Sequence, residues 1–166
     1  MRTRAVGFRP DDALPALGLA LDFMRVLWAL DHGLQARSKR MKAVLGVTGP
    51  QRLVIRIIGK FPGLSPGQLA RALHIHPSTL TGVLARLETR GAIQRTTAPE
   101  DARRSRLYLT GSGERINRCQ LGTVEASIRR TLVRLNEREV SIARRVLGAL
   151  TRDLEEYGTS RSAVKR

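Results

Sequence analysis

Pro66-Gly67-Gln68-Leu69-Ala70-Arg71-Ala72-Leu73-His74-Ile75-His76-Pro77-Ser78-Thr79-Leu80-Thr81-Gly82-Val83-Leu84 is the stretch that decides the fold. Ser65, just before it, reads as an N-cap, with Pro66 where a missing N–H costs nothing and Gln68 three residues after the cap. A short helix follows to about Leu73, and a second begins near Pro77 and runs to Thr89, with Gly91 just past its end. Leu69, Leu73, Ile75, Leu80 and Val83 occupy the apolar positions that lock two helices at a steep angle, and the small Ala70 admits their close approach. This is a helix-turn-helix pattern, with His74 where glycine is common at the turn. If Leu80, Val83, Leu84 and Leu87 turn inward, the other face shows Pro77, Ser78, Thr79, Thr81, Gly82, Ala85 and Arg86. Small hydroxyl-bearing and cationic side chains at a helix N-terminus suit the major groove of a duplex.

On the N-terminal side, Thr48-Gly49-Pro50-Gln51 repeats the same start device and opens a helix whose expected buried face is Leu53, Val54, Ile57 and Ile58, stopped by Pro62-Gly63. Before it, Leu14, Leu17, Leu21, Met24 and Trp28 recur at alternating spacings of 3 and 4, which predicts a helix from Asp12 to about Leu45. Residues 1–11 read as a flexible basic arm. On the C-terminal side, Ala92–Thr97 and Ser105–Thr110 have strand character, joined by a charged seven-residue tip, 98–104. Thr110 caps a helix expected to carry Ile116, Cys119, Val124, Ile128, Leu132 and Leu135 on one face. Asn136 restarts a last helix with Val140, Ala143, Val146, Leu147, Leu150 and Leu154 inward, and 158–166 read as a basic tail. The fold expected is mainly α with a small β-hairpin. The terminal helices carry more apolar surface than one small lobe covers, so an interlocked homodimer is expected.

Charge points the same way. Lys plus Arg number 30 against 14 Asp plus Glu, a net charge of +16. Between Asp31 and Glu88 there is no acid, while Arg37, Lys39, Arg40, Lys42, Arg52, Arg56, Lys60, Arg71 and Arg86 fall inside that stretch. A solubilising surface mixes both signs, and a one-signed segment suits a polyanion. Coding bias toward arginine accounts for part of the excess but not for the missing acids. Aromatic residues are 4%, too few for the stacking platforms of single-strand binders. The single cysteine excludes an intrachain disulfide and fits a reducing compartment. The apolar run Leu14–Leu21 ends at Asp22, too short to span a bilayer, so a soluble cytoplasmic protein with no membrane partner is expected.

The stretch from Thr48 to Thr110 resembles the multiple antibiotic resistance regulator (MarR) family of winged helix-turn-helix proteins. The resemblance rests on Val47-Thr48-Gly49-Pro50-Gln51, Leu69-Ala70-Arg71-Ala72-Leu73, Ser78-Thr79-Leu80-Thr81 and Leu84-Ala85-Arg86-Leu87-Glu88-Thr89-Arg90-Gly91. It also rests on the wing, Asp101-Ala102-Arg103, five residues, then Leu109-Thr110. It implies one domain over 12–157, in which 48–110 form the DNA-binding lobe and 12–46 and 111–157 the dimerisation helices. It further implies a sequence-specific regulator, most often a repressor, acting on a pseudo-palindromic operator in double-stranded DNA. Arg103 would enter the minor groove, oriented by Asp101, while Arg95, Arg104, Arg106 and Arg71 hold phosphates. His76 is either a further phosphate contact or a plain turn residue. Family members often release DNA when a small aromatic anionic ligand binds. Trp28 and His32, one turn apart, either line such a cavity or make core and dimer contacts.

The same charge would serve an effector-independent architectural DNA-binding protein, or a winged helix that binds protein or RNA. Gly63-Leu64-Ser65-Pro66-Gly67 matches a nucleophile elbow, but its only later histidines, His74 and His76, lie within the helix-turn-helix, so no enzyme is expected. Those histidines share no helix face, so neither a metal nor another cofactor is implied. Cys119 reads as buried packing on its helix.

Overall fold

The computed structural model describes residues 17–98 and 101–163, with the backbone alone for 98, 101–104 and 156–163. The basic arm and Leu14 therefore lie outside the described residues. The chain divides into two compact units, Met1–Cys119 and Gln120–Arg166. In order the elements are α1 (Leu19–Leu45), α2 (Gly49–Lys60), α3 (Pro66–Leu73), α4 (Pro77–Thr89), β1 (Ile93–Ala98), β2 (Asp101–Leu109), α5 (Gly111–Arg118), α6 (Val124–Leu132) and α7 (Glu137–Ala163). This is a mainly helical chain with one antiparallel hairpin, the winged helix-turn-helix order.

Local chemistry sets the helix starts. The Thr48 hydroxyl accepts from the Gln51 N–H while the Gln51 side chain accepts from the Thr48 N–H, and Ser65 and Gln68 repeat the exchange. Two orphan donors are thus satisfied at each start, and Pro50 and Pro66 remove another. Asn136 and Glu139 form the same reciprocal pair at the head of α7, at 2.8 and 3.0 Å.

One apolar cluster closes the first unit: Val47, Val54, Ile55, Ile58, Leu69, Ala70, Leu80, Leu84, Leu87, Ala92, Ile93 and Leu107. The buried arc of α2 differs from the expected one. Val54, Ile55 and Ile58 are buried, whereas Leu53 is 52% exposed. At about 100° per residue Leu53 lies roughly half a turn from the centre of that arc. Arg52 takes part in the arc at 1% exposure, so it is withdrawn from the cationic surface to which its charge had assigned it.

The hairpin is held by more than its own ladder. Gly63 N–H donates to Leu107 O at 2.9 Å and Leu107 N–H to Leu64 O at 3.0 Å, so the α2–α3 loop adds a short third rung. Strand pairing continues past the expected limits, with Ala98 opposite Asp101 after a register shift between Thr97 and Ala98. Residues 101–104, expected in a loop, are therefore strand; Pro99 and Glu100 lie outside the described residues. A Cβ at Gly113 would collide with Ala92 O, so the first turn of α5 fits against β1 only as glycine.

Two helices depart from the sequence pattern. α1 begins at Leu19, behind Gly18 at φ 87°, so Leu17 precedes it. The single helix expected after Thr110 is two. α5 ends at Arg118, Gly122 takes φ 72°, and Thr123 caps α6 by accepting from Ala126 N–H at 3.2 Å. Cys119 is accordingly no helical stripe residue but the extended C-cap of α5, only half-buried. α7 continues to Ala163, through most of the segment read as a tail.

Candidate nucleic-acid interface

α4 presents the two faces its periodicity requires. Leu80, Leu84 and Leu87 are buried, while Pro77, Ser78, Thr79, Thr81, Gly82, Ala85 and Arg86 are exposed. The turn before it depends on His74, the only non-glycine residue with positive φ among those described, at 51°. It ends α3 in the left-handed conformation that glycine commonly supplies, and its N–H bonds back to the Ala70 and Arg71 carbonyls.

His76 is the N-cap of α4. Its Nδ1 accepts from Ser78 N–H at 3.3 Å and lies 2.7 Å from the Ser78 hydroxyl oxygen. The Thr81 hydroxyl donates to Pro77 O at 2.9 Å, which leaves its lone pairs facing outward. Nothing lies within 4 Å of a Cβ placed on Gly82, so this glycine fills no internal need and leaves a gap in the exposed face. Arg71 is exposed on α3, and Arg86 is exposed in the last turn of α4. The first unit therefore brings Arg71, His76 and the outer face of α4 onto two consecutive helices.

In the hairpin Arg106 stands opposite Thr96, half-buried. Arg95 is exposed but engaged: its Nε donates to Glu88 Oε1 at 2.5 Å. Asp101, Arg103 and Arg104 lie at the far end of β2, and their side chains fall outside the described residues. Trp28 and His32 are exposed on α1, Trp28 by 71%, and neither lines the hollow of about 300 Å³ beside the α6–α7 turn formed by Leu132, Leu135, Glu137, Val140, Ser141 and Arg144.

Three arginines have positions that sequence reasoning missed. Arg52 donates to the carbonyls of Ile116, Asn117 and Cys119, and Arg56 to the carbonyl and side-chain oxygen of Asn117, so both serve the C-terminus of α5. The last carbonyls of a helix are orphan acceptors carrying negative partial charge, which a guanidinium neutralises. Arg90 binds the last carbonyl of α1. Partners so distant in sequence leave no local signal.

The remaining motifs resolve into packing. The Ser65 hydroxyl accepts from Gln68 N–H at 3.2 Å, a cap's contact. Among the described residues no group of three His, Cys, Asp or Glu side chains could hold a metal ion, and no helix is long and apolar enough to cross a membrane.

Known proteins share this arrangement. The profile of the MarR family matches residues 45–104, from the end of α1 into β2. An HTH-type transcriptional repressor of Mycobacterium tuberculosis is 31% identical over 109 residues, covering 66% of this chain and 78% of the relative. FabT of Streptococcus pneumoniae, crystallised in complex with DNA, is similar with a TM-score of 0.61 at 23% identity, over 83% of this chain and 98% of that one. The PcaV transcriptional regulator of Streptomyces coelicolor, in complex with its natural ligand, gives 0.65 at 24% identity, over 82% and 96%. At these identities the two structures carry the fold; the family profile and the mycobacterial relative carry the kinship. The chain belongs to the MarR family of winged helix-turn-helix regulators.

Proposed function

We propose that this protein is a cytoplasmic homodimeric repressor that binds a pseudo-palindromic operator in double-stranded DNA and performs no catalysis. The observation that carries this reading is the exposed face of α4, where Ser78, Thr79, Thr81, Gly82 and Arg86 stand clear of the core that fixes the helix. Hydroxyls and a guanidinium read base edges in the major groove, and the small Gly82 lets the helix approach closely. Arg103, with Asp101 orienting it, enters the minor groove, whose negative potential favours an inserted arginine. Arg71, His76, Arg104 and Arg106 hold phosphates, which position without specifying.

Support for pairing comes from α1, where only Met41 is buried while Leu19, Leu21, Phe23, Met24, Val26 and Trp28 are exposed. Surface of that kind is normally covered by a second copy. A small aromatic anion, held near Trp28 and His32, relieves binding; the ligand-bound neighbour supports this part of the reading.

The test is a binding titration with a duplex from the protein's own promoter and a shuffled duplex of equal length. A repressor of this kind prefers its operator by about a thousandfold or more. Near-equal affinities would replace this reading with an architectural role.

A further inference from the structure

Arg95 carries a charge suited to a phosphate, yet strand alternation turns it away from that task. In the hairpin Ile93 pairs with Leu109, Arg95 with Leu107 and Thr97 with Ser105. Directly opposed residues share a face, and Ile93 and Leu107 are buried, so Arg95 projects on the inner face of the hairpin. Gln94, Thr96, Arg106 and Tyr108 belong to the other face.

What meets Arg95 there is Glu88, one position from the end of α4, at 2.5 Å. Two features make that carboxylate unusual. It is the first acid after Asp31, in a stretch that otherwise carries only positive charge. It also sits in the last turn of its helix, where the macrodipole disfavours an anion. Glu88 therefore does nothing for α4 alone, and its benefit lies in its partner. The backbone beneath is already tight: Gly91 N–H donates to Glu88 O at 2.8 Å and Ala92 N–H to Leu87 O at 2.9 Å. The ion pair closes this turn from the side-chain side and ties recognition helix to wing.

We propose that the Glu88–Arg95 pair is a specificity latch: it fixes the angle between α4 and the hairpin and occupies Arg95, which would otherwise be a sequence-blind phosphate contact. The inference rests on the DNA-binding reading above and adds a residue that restrains binding. Both side chains are about one-third exposed (36% and 32%), so the pair is weak enough for a phosphate to replace the carboxylate once the latter loses its charge. Arg95 and Glu88 are positioning residues in this scheme, since neither reads a base.

The experiment measures affinity against salt for wild type, Glu88→Gln, Arg95→Gln and the Glu88→Arg/Arg95→Glu swap. Two probes are used: a random-sequence duplex pool, and the duplex selected from that pool by the wild type. With Glu88→Gln, affinity for the random pool rises about tenfold, the salt slope steepens by roughly two units per dimer, and selectivity falls. Arg95→Gln lowers affinity for the selected duplex while leaving the random-pool salt slope unchanged. The swap restores selectivity. The latch is overturned if Arg95→Gln flattens the salt slope on both probes while Glu88→Gln behaves as wild type, the pattern of an ordinary phosphate contact. Failure of the wild type to enrich any duplex overturns the repressor reading, and the latch with it. Enrichment by wild type with no change in Glu88→Gln sinks the latch alone.

Discussion

The Arg90 guanidinium donates to the carbonyl oxygen of Leu45 at 3.3 Å, so the C-cap of the recognition helix closes the C-terminus of α1. The contact needs Gly46, which holds a left-handed φ of 71° and leaves the space where the guanidinium lies; a Cβ there would overlap it.

Gly46 and Gly91 are both left-handed, at 71° and 67°, but a Cβ on Gly91 meets nothing within 4 Å. Gly91→Ala should therefore cost only the backbone term, about 1 kcal/mol. Gly46→Ala should cost about 2 kcal/mol or more, because Arg90 must also be displaced. Urea unfolding midpoints distinguish the two, and equal losses would show that the Arg90 contact contributes nothing.

Arg52→Met keeps much of the buried volume but strips the donors from three carbonyls at the end of α5. Bonds from charged donors and orphaned acceptors set the expected loss at about 3 kcal/mol. Arg56→Ala, on the exposed side of the same joint, should cost about 0.5 kcal/mol or less. Comparable losses would place the burden on the packing of α2 and not on the guanidinium.

His76 has two candidate duties, and substitution separates them. His76→Ala removes the cap of α4 and should cost about 1 kcal/mol of stability. His76→Asp supplies a strong cap with an anion at the helix N-terminus, so stability is kept. Duplex affinity should nevertheless fall, since a carboxylate then faces the phosphates. A His76→Asp protein that binds as tightly as wild type would leave His76 with the structural duty alone.

Thr81→Ala and Arg103→Ala should fail differently. The first changes which base is preferred within each half-site at a cost of roughly 1–3 kcal/mol at that position. The second lowers affinity about tenfold or more, most where the minor groove is narrow, with the urea midpoint unchanged. Selection from a random pool reads the first effect, and anisotropy titration the second. An unchanged preference in Thr81→Ala would remove that hydroxyl from base reading.

What could be read in advance was whatever is local. Thr48 with Gln51, Ser65 with Gln68, and Asn136 with Glu139 announce their helices because cap and partner lie three residues apart. The two faces of α4 follow from one period of 3.6. The break after α5 was legible in principle. The step from Cys119 to Val124 is five residues, out of phase with a helix, and Gly122-Thr123 pairs a left-handed residue with a cap. The apolar stripe on either side hid it. Arg52, Arg90 and Arg95 counted simply as charge, or as phosphate ligands, because their partners come from other elements. Periodicity reports which way a residue points, not what another segment brings to meet it.

The central claim is that two copies of this fold place α4 in the major groove and a wing arginine in the minor groove of one duplex. Dimethyl sulfate probing of the selected duplex reads both at once, since guanine N7 lies in the wide groove and adenine N3 in the narrow one. The account predicts two clusters of protected guanines about one helical turn apart, each flanked by protected adenines on its outer side. Protection of a single cluster, or binding that leaves both positions as reactive as in free DNA, would contradict it.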